Sequence, residues 1–407
     1  MPQPMRETHL IALMTTVQFV HMVDFVMMMP MGPMLMRDLD IGSVQLAWML
    51  SAYTFAAAFS GVLAGFAIDR FDRRRALLVL LTGLALATFS CGFAPDHGWM
   101  VVARAMAGFF GGALSSLVMA IVPDAIPAER RGRALGIIMA SFSLASIIGI
   151  PIGLTLAVAW GWHSAFMALG LIAFGIVCWA WLVFPPMINH IQQARPSPLR
   201  VLAEVFREPN HLRAFALMIC LSFGGFTVIT FLSPYLVGNV GFTDGQLRYV
   251  YLCGGLFTVI TSPWIGRLSD RFGAKPMLAV VAACSIVPLL TITHLPRVPV
   301  WQALIVSTIF IVFVSGRFVP AMTLTTNAVI PRLRGSFMGF NSAIMSLGTG
   351  AAAQLAGWLV VKAPDQHLEH FSRVGWIAAG FTLLAIIVST TLKPAAEKKP
   401  NLQAPVP

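Results

Sequence analysis

The sequence predicts an all-α integral membrane protein with twelve transmembrane helices in two pseudo-symmetric six-helix bundles. Three observations predict it. Hydrophobic residues make up 57% of the chain against 11% charged, with a mean hydropathy of +0.81, a balance that leaves a water-soluble fold too little polar surface to cover itself. Apolar stretches long enough for a hydrocarbon core of about 30 Å recur along the chain. Finally, a charged turn, Gly65-Phe66-Ala67-Ile68-Asp69-Arg70-Phe71, returns 201 positions later as Gly266-Arg267-Leu268-Ser269-Asp270-Arg271-Phe272.

The same offset pairs Pro33 with Pro234, Gln45 with Gln246, and Arg6-Glu7 with Arg207-Glu208, so the chain reads as a duplicated unit. The first six spans fall at 10–34, 44–66, 76–93, 99–122, 134–159 and 165–184, and the second six at 212–237, 247–265, 276–295, 300–330, 337–361 and 374–392. The expected domains are an N-terminal bundle (1–185), a cytoplasmic linker (186–210) rich in Arg, Gln and Pro, a C-terminal bundle (211–393) and a disordered cytoplasmic tail (394–407). No cleavable signal peptide is read at the start, because the first apolar run is too long and lacks a basic leader.

A formal charge of +11 in a soluble chain would point to nucleic acid. Here the basic residues sit in short loops, and 20 of the 27 fall on the side that holds both termini, the repeated turn, the linker, Arg130 to Arg133 and Arg332 to Arg334. By the positive-inside rule both termini are expected in the cytoplasm, with no nucleic-acid partner. The five cysteines, Cys91, Cys178, Cys220, Cys253 and Cys284, lie in apolar spans and are expected to form no disulfide.

Twelve spans in two sixes, with Gly-x-x-x-Asp-Arg-x-x-Arg-Arg after the second and a relaxed copy after the eighth, resemble the major facilitator superfamily of secondary transporters. The resemblance covers essentially the whole chain. Arg104-Ala105-Met106-Ala107-Gly108 resembles the family's fourth-helix motif, Gly149-Ile150-Pro151-Ile152-Gly153 its fifth-helix motif, and Asp24-Phe25 a first-helix acidic pair, as in the drug and sugar branch that exports substrate in exchange for protons. Asp72 and Ala107 depart from the pattern, standing where Gly and often Gln are found. The resemblance implies a transporter of a bacterial inner membrane, acting as a monomer on a small molecule, with protons and the lipid bilayer as its other partners and no cofactor.

The residues also carry roles of their own. Gly65, Asp69, Arg70, Arg73 and Arg74, with Gly266, Asp270 and Arg271 in the second copy, are expected to form a cytoplasmic gate. In it Asp69 accepts bonds from a helix N-terminus or from Arg73 to Arg75, and these break when the helices rock. Gly149, Pro151 and Gly153 are expected to pack the fifth span tightly and bend it.

Asp24 is the one carboxylate well inside a span, and a charge there costs several kcal/mol unless it is paired, hydrated or protonated. At 1.5 Å per residue, Asp24 and Arg104 reach similar depths from opposite faces. Desolvation opposes charge on Asp24 and a guanidinium favours it, so a motion that changes their separation would move a proton. His21 and Gln18 precede Asp24 at spacings of three and share its helix face. Asp24, Arg104 and His21 form the expected proton-coupling set.

Gln18, Met28, Tyr53, Arg317, Asn327, Asn341 and Gln354 are expected to line a substrate cavity. Arg317, with no evident acidic partner, would meet an anionic group, cap backbone near Pro320, or snorkel. The methionines Met22 to Met36 would form an adaptable apolar wall in preference to a Cu(I) path, since no Cys or His ladder continues from them. No HExxH, Gly-x-Ser-x-Gly or Walker loop is present, so neither an enzyme nor an ATP-driven pump is expected. The remaining alternatives are a symporter or facilitator of the same fold and a membrane receptor or scaffold that moves nothing.

Overall fold

The structure, a computed structural model, describes residues 7–188 and 198–395. The first half runs α1 (Glu7–Met27), α2 (Gly32–Asp38), α3 (Ser43–Ala67), α4 (Arg73–Cys91), α5 (His97–Ala125), α6 (Ala128–Met139), α7 (Ser141–Leu144), a π-helical turn (Ala145–Gly149), α8 (Ile150–Trp160) and α9 (Trp162–Val183). The second half runs α10 (Pro198–Arg207), α11 (Pro209–Tyr235), α12 (Leu247–Phe272), α13 (Ala274–Thr293), α14 (Val300–Gly316), α15 (Phe318–Asn327), α16 (Arg334–Leu359), a hairpin of β1 (Val361–Lys362) and β2 (Leu368–Glu369), and α17 (Phe371–Thr391). Part of the expected linker, 189–197, and the expected tail from 396 onward lie outside the described residues.

Among the described residues eleven helical segments are long and apolar enough to cross a membrane. The 26-residue α16 supplies the twelfth crossing. Gly, Ser, Asn341 and Gln354 dilute its hydropathy because it packs across the halves onto α3, where Gly350 backs onto Thr54 and Phe55. Small residues allow that approach in lipid, where burial gives helices no hydrophobic reason to meet.

The repeat has a local cause at the start of the second span in each half. Gln45 Oε1 accepts the Gly42 backbone N–H at 2.6 Å, and Gln246 Oε1 accepts that of Thr243 at 3.0 Å, so each glutamine satisfies a helix-start donor left over by the helix ladder.

Three spans are interrupted where continuous helices are expected from sequence. The first breaks at Met28–Met31, held by turn bonds from Met29 to Val26, Met31 to Met28 and Gly32 to Met29; Pro30 has no N–H to continue the ladder, and Pro33 suits the first turn of α2. The fifth contains the π turn ahead of Pro151. The tenth divides at Arg317, because Pro320 cannot donate to the Gly316 carbonyl. Part of the expected linker is helical, as α10. In α10, Val205 is buried and Phe206 meets Phe215 and Phe340, while Glu204 pairs with Arg332.

Among the described residues the hydrogen bonds and ion pairs between the halves all lie toward the end of the bundle away from the termini. They are Arg37 to Asp244, Lys362 to the Met36 and Ile41 carbonyls, and Gln354 to Ser51. The halves therefore close at the far end.

Gly108 and Gly112 draw α5 onto α3, Gly108 against the Tyr53 carbonyl and Gly112 so close that an added Cβ would stand 2.7 Å from Ala57 Cα. Gly112→Val should lower stability in thermal unfolding by roughly 1–3 kcal/mol. Gly380→Ala, which faces open space, should leave it nearly unchanged, and equal loss in both variants would contradict this packing.

Candidate functional site

The first helix presents Gln18, His21 and Asp24 to α5, and the register of the two helices gives each a partner in turn. Gln18 Nε2 donates to Ser115 Oγ at 3.3 Å, and the His21 ring lies where a Cβ on Gly111 would come within 2.7 Å of it. Asp24 meets Arg104. Gly149 packs on Val23 and Gly153 on Met27, so the π turn and α8 close the same stretch of α1 from the other side.

Asp24 is wholly out of solvent and Arg104 nearly so. Asp24 Oδ1 accepts from Arg104 Nη1 at 3.1 Å and from Thr88 Oγ1 of α4 at 2.9 Å, while Arg104 Nη2 donates to the Asp24 backbone carbonyl at 3.1 Å. The guanidinium also lies 4.4 Å from the centre of the Tyr53 ring, which stacks in turn near His21 and Phe25. Four helices, α1, α3, α4 and α5, thus converge on one ion pair. A buried pair is sustained by complete hydrogen bonding. Here that is partial, since Asp24 Oδ2, Arg104 Nε, His21 Nδ1 and the Tyr53 hydroxyl have no protein partner. Chemically, Oδ1 is committed to the cation while Oδ2 keeps its lone pairs for a proton.

The other expected cavity residues do not gather with this pair. Met28 is buried in the turn between α1 and α2. Asn341 is buried on α16, with Nδ2 3.8 Å from Met345 Sδ. Gln354 Nε2 donates to Ser51 Oγ at 2.5 Å, which makes it part of the contact between halves. Asn327 is exposed at the end of α15 nearest the termini.

Arg317 is fully buried inside the second half. Its Nη1 donates to Thr382 Oγ1 at 2.9 Å and its Nη2 to the Leu221 carbonyl at 3.0 Å, joining α11, the α14–α15 junction and α17. The 201-residue offset takes Asp24 to Gly225, and a Cβ there would lie 2.8 Å from Arg317 Nη2. Each half thus has an arginine bonded to a carbonyl of its own first helix, but the carboxylate stands in the first half alone.

In the repeated turn, the Asp69 side chain lies outside the described residues. Arg73 is buried, with Nη2 2.8 Å and Nε 2.9 Å from Asp124 Oδ2 at the end of α5. Asp72 caps α4 through the Arg74 N–H and also accepts from the Met187 N–H at 2.8 Å, a use for the carboxylate at a position that departs from the motif. Arg74 donates to the Trp181 carbonyl, while Arg70 is exposed and Gly65 faces open space. The second copy is no turn at all. Asp270 and Arg271 are exposed on the last turn of α12, which Gly273 ends at φ +92°.

Thr88, Ser115, Asp124 and Arg131, whose Nε and Nη2 hold the Ile126 and Pro123 carbonyls at 2.8 Å, escape the reading of the sequence. A threonine inside an apolar helix ordinarily bonds its own backbone and carries no signal. Asp124, one residue after Pro123 at a span end, is the one that proximity to the basic turn could have flagged.

Two helical halves closed at one end, with a buried acid and base in one of them, are the frame of a multi-pass membrane protein. The Major Facilitator Superfamily profile matches residues 14–243 and 214–407, and the chain belongs to that family. It is 26% identical over 389 residues to an uncharacterized MFS-type transporter, YceJ, of Bacillus subtilis, covering 96% of both chains. To a chloramphenicol efflux pump of Mycobacterium tuberculosis it is 25% identical, over 60% of this chain and 59% of that one. The crystal structure of a D-xylose-proton symporter superposes with a TM-score of 0.74 at 18% identity, covering 94% of this chain and 97% of the other.

Removing one member of a buried pair strands the other at a cost of about 3–5 kcal/mol. Arg104→Met is therefore expected to lose stability of that order, and Asp24→Asn combined with Arg104→Met to recover most of it, as read by thermal unfolding of the purified protein. A double variant no more stable than the single would show that the two groups do not sustain each other.

Proposed function

We propose that the protein is a proton-coupled antiporter that exports a small organic molecule across a bacterial inner membrane. The observation that carries this reading is Asp24, fully buried, bonded through one oxygen to Arg104 and Thr88 and unpartnered at the other. Such a group exchanges a proton when the helices that hold it move relative to one another, because separation from Arg104 or contact with water changes the balance between desolvation and ion pairing. His21 and Tyr53 border the pair and tune it. Alternating access between the two halves supplies the motion.

The excess of basic residues at the terminal end supports cytoplasmic termini, and with that orientation the hydrogen bonds and ion pairs between the halves lie toward the opposite, external side. At the cytoplasmic end Arg73 and Asp124 tie the start of α4 to the end of α5 within the first half. Export is favoured by the likeness to a chloramphenicol efflux pump. The buried methionines near the break of the first span, Met27, Met28 and Met31, provide an adaptable apolar wall suited to such a substrate.

The test uses purified protein in liposomes with an internal pH dye, offered chloramphenicol, sugars and nucleobases. Wild type should move protons when its substrate moves, and Asp24→Asn should lose that response by at least about tenfold while still binding the substrate. Proton movement at the wild-type rate in Asp24→Asn contradicts the assignment, and substrate movement without protons in both makes the protein a facilitator.

A further inference from the structure

The first span is shared between the halves. Its inner piece, α1, is fastened to the first half along its length: Glu7 pairs with Arg130 at 2.7 Å, the Thr15 carbonyl accepts from Ser141 Oγ at 3.0 Å, and Gln18 and Asp24 hold α5. Its outer piece, α2, is clasped by the second half. Lys362 Nζ donates to the Met36 carbonyl at 3.0 Å and to that of Ile41 at 3.4 Å, and Arg37 pairs with Asp244 at 2.5 Å. Gly32 abuts the Pro234 ring, where a Cβ would stand 3.0 Å from Cγ. The turn Met28–Met31 joins the two pieces, and it begins four residues after Asp24.

Lys362 is placed to matter most among these contacts. The last carbonyls of a helix have no partner in the helix itself and carry partial negative charge, so an ammonium is their natural cap. Lys362 adds that ammonium from the other half, to the Met36 carbonyl that the Ile41 N–H also caps at 3.2 Å and to the Ile41 carbonyl just beyond the helix. The hairpin that presents it is braced by Asn239, whose side chain bonds the Leu368 N–H at 2.9 Å and carbonyl at 3.0 Å. If the halves part at the far end, Lys362 must leave and α2 loses that ammonium and its contacts with the second half, while its packing on α3 through Leu46 remains.

We propose that Lys362 is a positioning residue that fixes α2 to the second half and, through the turn Met28–Met31, transmits closure of the far end to the stretch of α1 that carries Asp24. The consequence for transport rests on the antiport reading; the mechanical link stands without it.

Hydrogen–deuterium exchange of the full chain in lipid nanodiscs tests the link with no substrate or proton gradient. Lys362→Met should speed exchange about tenfold over 28–41, with the rise reaching Val26 and Met27 at the end of α1, while 92–96 in the first half stays as in wild type. Lys362→Arg, which keeps the charge, should restore protection. Lys362→Gln serves the same purpose if the methionine variant does not fold. Unchanged exchange over 28–41, a rise confined to 36–41, a uniform rise across the chain, or failure of arginine to restore protection would each overturn the proposal. Absence of substrate-driven proton movement by the wild-type protein in the liposome assay, with these exchange changes intact, would instead count against the antiport reading alone.

Discussion

A carboxylate and a guanidinium cannot stay charged away from water unless each is the other's counterion, and the first half is arranged around that requirement. Asp24 and Arg104 come from helices that enter the membrane from opposite faces, so they meet only when α1 and α5 pack at one register. Gly111 and Gly112 admit His21 and α3 at that register, Thr88 brings in α4, and Gly149 and Gly153 admit α8 behind α1. The interaction is weak evidence for stability, since apolar residues of like volume often serve a core as well.

The second half shows what the same scaffold does without the acid. Arg317 reaches the Leu221 carbonyl much as Arg104 reaches that of Asp24, yet Gly225 stands where the duplication would place the carboxylate, and Thr382 takes up the other arm of the guanidinium. Neutral acceptors make a permanent clip. One half thus has a carboxylate beside its buried arginine, and the other has neutral acceptors alone. This clip faces α11 and α17, inside the bundle, a helix-joining use of Arg317 that is not among the three roles weighed from sequence.

Much of this was legible before any coordinates. Hydropathy and the 201-residue repeat specify spans and halves because lipid leaves the backbone few alternatives to helix. Depth counting from the span ends suffices to bring Asp24 near Arg104, since a helix rises by a fixed amount per residue. The unread parts are those that depend on which helix faces which. Asp124 meeting Arg73, Thr88 meeting Asp24 and Lys362 reaching α2 are contacts between segments far apart in sequence, and none has a periodic signature. The break after Met27 had its signal in Pro30 and Pro33, but the length of the apolar run argues for one continuous span and hides it.

The central claim is that Asp24 takes up and releases a proton as the halves move. Infrared difference spectroscopy of the protein in lipid, recorded on a step in pH and again on addition of substrate, observes that group directly. The account predicts a carboxylic-acid carbonyl band that appears or disappears between states, shifts in heavy water and is absent from Asp24→Asn. A difference spectrum without any such band, or one that persists unchanged in Asp24→Asn, would contradict it.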